Sequence, residues 1–308
     1  SFTSNSDDYS KIENNLNQTL RAGHAKITAK HEINAKIHLL IGTEYFYKSF
    51  QQIFSKTGTA GDSTNGFTEG ISASFAEAEV YTSAKFVVKG GIRFEYSDYF
   101  KKSTLSPRLS TAYKFNDKSQ LSLAYGWFYQ DPGYELMVDN NFLQNERASH
   151  LILSFQNTRN GRTLRVEAYY KKYADLIKYS TDEGFQKTAF NNNGNGYATG
   201  IDVFWRDDKT IKNGQYWLSY SYLQTERNYN DYPGLAIPDY TNTHTVSFVY
   251  KHWIENWRSL IGMTFQYGSP RPYNDPNTNG FNQGRLKPFR TLNISWSYLY
   301  KQNVIFHA

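Results

Sequence analysis

Apolar and polar residues alternate one by one along many segments of this chain. The clearest case sets Leu292, Ile294, Trp296, Tyr298 and Tyr300 against the interleaved Thr291, Asn293, Ser295 and Ser297. Successive side chains of a β-strand point to opposite faces, so the alternation predicts strands with one apolar and one polar face. Such strands suit a membrane barrel, which meets lipid outside and water inside.

Turn residues divide the alternating segments into antiparallel hairpins, and we predict about 14 strands. Several are close to the length of about 10 residues that a tilted strand needs to cross a bilayer. The predicted hairpins pair 20–30 with 36–50, 70–82 with 85–98, 108–115 with 120–129, 149–156 with 163–177, 197–206 with 216–227, and 244–253 with 258–267. A last hairpin begins at Phe289, turns near Gln302 and Asn303, and stops at Ala308.

The links between these strands are of two kinds. Links within the hairpins are short, whereas the segments 51–69, 130–147, 228–242 and 268–287 are long. All eight prolines lie in or beside the long links, and none is predicted in a short turn or in mid-strand. Since proline cannot donate to a strand ladder, this distribution supports the assignment. Alternating short and long links indicate an up-and-down transmembrane barrel with short periplasmic turns and long external loops.

Composition agrees with a barrel better than with a soluble domain or a disordered chain. Mean hydropathy is only −0.68, yet 17% of the residues are aromatic, and disordered segments are poor in aromatics. A polar lumen lowers hydropathy while aromatic girdles raise the aromatic fraction. No apolar run is long enough for a transmembrane helix, and the absence of cysteine excludes disulfides and thiolate metal sites. The net charge of +6 is spread along the chain and gives no indication of nucleic-acid binding.

Charged residues occupy the polar positions of several predicted strands. Arg93 and Glu95 alternate with apolar residues, as do Arg165 and Glu167, and Asp202 lies in a further strand. An arginine or lysine facing lipid at the bilayer midplane costs about 2–4 kcal/mol, so we expect these five side chains to face the lumen. Because buried charges are normally paired, structural ion pairs are the preferred interpretation and substrate contacts the alternative.

Four short segments resemble the barrels of TonB-dependent outer-membrane receptors. They read FAEAE at 75–79, GIRFE at 91–95, SPRL at 106–109 and YYKKY at 169–173. The segments 190–193 and 196–202 are similar to another recurrent stretch of those barrels. The resemblance covers nearly the whole chain from about residue 20 onward. It implies energised uptake of a scarce, bulky ligand such as a siderophore, cobalamin or an oligosaccharide, captured by external loops and released through a plug domain that responds to the TonB complex.

The chain also departs from that family pattern. Residues 1–10 lack the basic and apolar regions of a signal peptide, and no plug domain or TonB-box segment is evident. Barrels of this family have 22 strands, so about eight are expected to be missing. We therefore expect residues 1–308 to form an incomplete barrel domain, with TonB contacted through an N-terminal part outside this chain.

Catalytic and metal sites have weak support. The seven histidines are scattered, and the seven-residue spacing of His24, His31 and His38 would converge only on a helix. The segment 275–280 resembles half a calcium loop, but Leu286 stands where a bidentate glutamate is needed, so a turn is expected. No nucleophile elbow or phosphate-binding loop is present. We expect no cofactor and no enzymatic activity.

Tyrosines in the long links are the candidate ligand contacts. A mixture of phenol rings with Asn, Asp and Gly suits stacking on sugars or chelate rings. An aromatic girdle or packing between loops is the alternative interpretation for each of them. The candidates are Tyr134, Tyr229, Tyr232, Tyr240 and Tyr273.

The sequence thus favours a TonB-dependent receptor in the outer membrane of a Gram-negative bacterium. Its expected partners are the TonB complex, a small-molecule or oligosaccharide ligand and outer-membrane lipid, without nucleic acid. A passive porin or surface adhesin would show the same alternation and is the alternative hypothesis. An outer-membrane enzyme with a triad assembled from separate loops is a third hypothesis with weaker support.

Overall fold

A single large sheet organises the chain. The computed structural model describes residues 2–11, 14–56, 63–138, 140–182, 187–301 and 304–308. Fifteen strands pair in an antiparallel sheet in their order along the chain, and a two-stranded hairpin lies in one of its loops. The predicted antiparallel up-and-down architecture is confirmed, while the predicted turn at Gln302 and Asn303 lies outside the described residues.

The strands have these bounds: β1 (Phe2–Lys11), β2 (Asn14–Asn34), β3 (Ile37–Lys56), β4 (Ser63–Tyr81), β5 (Phe86–Ser97), β6 (Lys102–Asn116), β7 (Ser119–Gln130), β8 (Glu146–Arg159), β9 (Arg162–Thr181), β10 (Lys187–Asp207), β11 (Gly214–Asn228), β12 (His244–Ile254), β13 (Ser259–Gly268), β14 (Pro272–Tyr273), β15 (Gly284–Arg285), β16 (Phe289–Lys301) and β17 (Val304–His307). The short helix α1 (Tyr134–Met137) lies between β7 and β8, and a single 3₁₀ turn (Glu255–Trp257) joins β12 to β13.

Local side-chain chemistry explains the tight turns. The amide oxygen of Asn34 accepts a hydrogen bond from the Lys36 N–H at 2.8 Å, and Asn116 accepts one from Lys118 at 2.9 Å. Asn160 and Gly161 both have positive φ angles, 51° and 72°. Asparagine and glycine tolerate the left-handed conformation, so the predicted turn between β8 and β9 forms at this pair.

Links at the opposite edge differ from the prediction in two places. The segment 51–69 was expected to be a long loop, but β3 continues to Lys56 and β4 begins at Ser63. Residues 98–101 form a tight turn, and Pro107 lies inside β6, where mid-strand proline was not expected. Pro107 pairs with Ile92, whereas the ladder with β7 starts only at Arg108. The missing N–H is therefore tolerated at the end of that ladder.

Strand β1 was not predicted. Its sequence, FTSNSDDYSK, carries no regular apolar alternation, so periodicity could not reveal it. It pairs with β2 from Phe2 opposite Gly23 to Lys11 opposite Asn14. Strands β2 and β10 each contain 21 residues, about twice the length needed to cross a bilayer, so they extend well beyond it on the side of the long links.

The two faces of the sheet differ in chemistry as the alternation predicts. The apolar face leaves large hydrophobic side chains exposed, among them Leu123 at 45%, Trp296 at 47% and Ile294 at 69%. The polar face carries Arg93, Glu95 and the residues paired with them across the strands. Strands β1 and β17 are the two edges of the sheet. No helix in the described part of the chain is both long and apolar enough to span a bilayer.

The link between β7 and β8 folds back onto the polar face. Met137 and Leu143 are fully buried, and they belong to a hydrophobic cluster with Phe50 and Phe67 of the strand wall. The Tyr99 hydroxyl also donates a hydrogen bond to the Met137 carbonyl. Packing of these residues makes the link a compact substructure rather than an extended external loop.

The two-faced sheet predicts opposite effects of charge on its two sides. Leu123→Arg on the apolar face should lower the free energy of unfolding of the complete protein in lipid vesicles by about 2–4 kcal/mol, because lipid cannot solvate the guanidinium. Ser122→Arg, one residue away on the polar face, is the matched control and should change stability by about 0.5 kcal/mol or less. Urea titration followed by tryptophan fluorescence measures both. Equal losses in the two variants would contradict the assignment of the faces.

Candidate functional site

A charge network on the polar face contains two of the predicted lumen residues. The Arg93 guanidinium contacts Glu95 at 2.7 Å and Glu44 at 2.8 Å, and Lys26 contacts Glu44 at 2.6 Å. Register explains this grouping, since Glu44 lies opposite Lys26 and Ala73, and Ala73 lies opposite Glu95. Glu44 is only 7% exposed, so its two cationic partners offset the cost of burying it.

The other predicted lumen charges lie farther round the sheet. Glu167 and Asp202 stand directly opposite each other on β9 and β10, which places two carboxylates on the same face. Arg165, one step along that face, lies opposite Phe204. In the described part of the chain none of these three residues has an ion-pair partner. The expected pairing is therefore seen for Arg93 and Glu95 but not for this group.

A second buried network joins the strand wall to the link between β7 and β8. Lys48 binds Glu69 at 3.5 Å and also pairs with Asp131. Glu69 has no solvent exposure and accepts a hydrogen bond from the Ser97 hydroxyl at 2.5 Å. Asn145 at the far end of the link donates to Asp131 at 2.6 Å. Both ends of the link are thus tied to one lysine of the wall.

Sequence reasoning missed this network. The alternation of β3 does place Lys48 on the same face as Glu44, which was an available signal. The partner Asp131 is separated from Lys48 by 83 residues and lies in a link of unpredicted conformation. No local pattern could have connected the two.

The structure brings together three of the five candidate tyrosines. The ring of Tyr229 contacts that of Tyr232 with centroids 4.8 Å apart, and Tyr232 packs on Phe281 of the next long link at 4.6 Å. Burial and the neighbouring phenols of Tyr240 and Tyr232 raise the pKa of Tyr229 well above its usual value. Its hydroxyl therefore stays protonated and can donate a hydrogen bond at physiological pH.

An arginine lies at the centre of this tyrosine group. The Arg227 guanidinium is 4.3 Å from the ring centroid of Tyr173, 5.8 Å from that of Tyr229 and 5.9 Å from that of Tyr240. Cations over aromatic faces are attracted by the ring quadrupole. Arg227 was not singled out in the sequence, because its neighbours come from β9 and from the link after β11, which are far apart along the chain.

The remaining two candidate tyrosines lie elsewhere. Tyr134 begins α1 and packs against Phe50 at 5.7 Å, inside the hydrophobic cluster. Tyr273 is 37% exposed in β14, where its hydroxyl reaches Asp275 at 3.5 Å. Asp275 in turn accepts a hydrogen bond from the Asn277 N–H at 2.9 Å, which matches the turn expected in that segment.

A cavity of about 320 Å³ lies beside the Lys48 network. Its walls come from the five strands β3 to β7 and from both ends of the link between β7 and β8. Among the described residues, no group of three or more His, Asp or Glu side chains is arranged to hold a metal ion.

Comparison with known proteins identifies the family. A family model described as "TonB dependent receptor-like, beta-barrel" matches residues 1–304. The chain belongs to the TonB-dependent receptor family. No curated protein sequence matches it significantly.

Several solved structures share the fold of this TonB-dependent receptor barrel. The copper transporter OprC superposes with a TM-score of 0.76 at 13% identity, over 96% of this chain and 51% of that one. The outer membrane transporter YddB from Escherichia coli gives 0.75 at 13%, over 94% and 49%. The ferric yersiniabactin uptake receptor FyuA from Yersinia pestis gives 0.73 at 12%, over 98% and 50%. The chain thus spans about half the length of each.

The Lys48 network predicts a specific loss of stability. Lys48→Met should lower the free energy of unfolding of this receptor by an amount on the order of 3 kcal/mol, because it leaves the buried Glu69 carboxylate without its cation. Hydrogen exchange of amides in residues 131–145 should rise in the same variant, since Asp131 loses its anchor on the wall.

Lys26→Met is the matched control for that experiment. Its partner Glu44 keeps the Arg93 contact, and the Lys26 side chain is 48% exposed. The expected loss is below about 1 kcal/mol, without a change in exchange at residues 131–145. Similar behaviour of the two variants would show that the network does not hold the link.

Proposed function

We propose that this protein is an outer-membrane receptor that takes up a scarce, bulky ligand using energy delivered through TonB. The match of the family model to residues 1–304 is the observation that carries the proposal. The two-faced antiparallel sheet supports it, because only helices and β-barrels satisfy their backbone groups inside a bilayer. The outer membrane of a Gram-negative bacterium is the corresponding location.

In this proposal the polar face lines a water-filled lumen. Arg93, Glu95, Arg165, Glu167 and Asp202 would then face water or the contents of the barrel. The pairing of Arg93 with two carboxylates on that face supports the assignment, since an unpaired charge facing lipid would be costly. The apolar face would contact the acyl chains.

The tyrosine group around Arg227 is the proposed region of ligand capture. Tyr229, Tyr232 and Tyr240 lie together in the link after β11. This link contacts the link after β13, which carries Tyr273. Aromatic faces with hydroxyl donors suit the rings of siderophores, cobalamin or oligosaccharides. Tyr134, packed inside the hydrophobic cluster, is assigned to holding the link between β7 and β8 instead.

Two of the structurally similar proteins are described by the cargo that they bind or transport. The cargo is ferric citrate for the transporter FecA and enterobactin for the receptor PfeA from Pseudomonas aeruginosa. At 14% identity or less, these similarities support a shared barrel fold.

Uptake by the complete protein tests the transport proposal. Cells that produce the protein are offered a panel of labelled ferric siderophores, cobalamin and oligosaccharides. At least one of these ligands should enter faster than in cells that lack the protein. That uptake should disappear in a TonB-deficient host and after addition of a protonophore, because the energy comes from the inner membrane.

Liposome swelling separates the receptor from a passive porin. A plugged receptor should not accelerate swelling in small neutral sugars. Rapid swelling, together with uptake that persists without TonB, would replace the proposal with the porin hypothesis. Cell-surface attachment without uptake of any panel member would favour an adhesin.

A further inference from the structure

The cavity beside the Lys48 network has a floor and a roof of different origin. Phe46, Glu95 and Thr104 come from the strand wall, whereas Asp131 and Asn145 come from the two ends of the link between β7 and β8. Lys48 lines the cavity where the two parts meet. Asp131 and Asn145 can line the cavity only while the link stays packed against the strand wall.

The roof is held by two independent sets of contacts. Polar contacts run from Lys48 to Asp131 and from Asn145 to Asp131. Apolar contacts bury Met137 and Leu143 of the link against Phe50 and Phe67. Pre-organised polar groups around a concave site lower the ordering cost of binding, so this roof favours a preformed site.

The charges around the cavity are balanced and mostly committed to each other. Lys48 is shared between two carboxylates, and a second lining lysine, Lys102, reaches the Phe142 carbonyl at 3.4 Å. The lining carboxylates are those of Glu95 and Asp131. Lys102 has no carboxylate partner among the described residues, but together with Lys48 it only balances the two lining carboxylates. The lining therefore gives an anionic ligand no net attraction, and like-charge contacts with Glu95 and Asp131 disfavour it.

The same groups suit hydroxyl donors. Glu95 accepts both Arg93 hydrogen bonds on one oxygen, and within the described residues its other oxygen accepts none. Carboxylates and amides bind hydroxyl groups. The Phe46 ring, which stacks on His24, supplies an apolar part of the cavity lining for a ligand ring. A volume of about 320 Å³ is at the low end of the usual range for ligand pockets, which suits one ring of a larger ligand.

We infer that this cavity binds an uncharged, hydroxyl-rich ring, of the kind that forms one unit of an oligosaccharide. The inference rests on the proposed uptake function and narrows its ligand class from siderophores, cobalamin and oligosaccharides to neutral carbohydrate. Glu95 and Asp131 accept hydrogen bonds from the ring hydroxyls, and Thr104 forms part of the surface beneath the ring.

Calorimetry on the purified complete protein in detergent tests this inference. The probes are neutral malto-, cello-, xylo- and chito-oligosaccharides, with ferric citrate as the anionic comparison. At least one neutral probe should bind, and Thr104→Leu should weaken its binding at least tenfold by filling the cavity. Thr111→Leu makes the same substitution at a position of β6 on the opposite face, and it should leave the affinity within twofold.

Glu95→Gln preserves the shape of the side chain and distinguishes binding of a neutral ligand from binding of an anionic one. Binding of the neutral probe should weaken about tenfold, because hydrogen bonds to a carboxylate are stronger than those to an amide. An anionic ligand at this site would instead bind more tightly. The inference is overturned if no neutral probe binds, if Thr104→Leu leaves binding unchanged, or if ferric citrate binds and Glu95→Gln strengthens it.

Failure of this inference is distinguishable from failure of the proposed function. Calorimetry does not require TonB, so carbohydrate binding can be present in a protein that performs no energised uptake. Conversely, TonB-dependent uptake of a ferric siderophore by a protein that binds no neutral probe would overturn the inference and leave the uptake function intact.

Discussion

The antiparallel backbone ladder is the constraint on which the rest of this structure depends. Inside hydrocarbon every N–H and C=O must find a partner within the protein, and strands achieve this only by pairing along their whole length. Fifteen strands pair here in their order along the chain, joined at one edge by tight turns. Pairing also sets a side-chain period of two, which sorts lipid-compatible residues to one face and charges to the other.

Some charges on the polar face are stabilised because register brings their partners beside them. Glu44 is flanked by Lys26 and Arg93, while Glu69 depends on Lys48 and the Ser97 hydroxyl. The two networks differ in what they connect. The first joins neighbouring strands of the wall, whereas the second extends to Asp131 and so couples the wall to a link. A single lysine thereby shapes the cavity beneath that link.

The long links divide into two kinds of structure with different roles. The link between β7 and β8 carries its own hydrophobic anchors and packs on the wall, where Tyr134 contributes to the core. The links after β11 and β13 meet each other through Tyr232 and Phe281 and leave Tyr240 half-exposed beside Arg227. The first provides a fixed boundary for a cavity, and the second leaves aromatic surface exposed to solvent.

Sequence patterns predicted most of the strands, their two faces and the tight turns, because alternation such as that from Leu292 to Tyr300 and turn residues such as Asn160-Gly161 act between near neighbours. They did not reveal β1, which lacks alternation and is defined by its pairing with β2. Long-range packing determined that Lys48 meets Asp131, that Tyr134 is packed against a hydrophobic cluster and that Tyr173, Tyr229 and Tyr240 surround Arg227. Those contacts depend on strand register and on how the links fold back, and neither leaves a periodic signal along the chain.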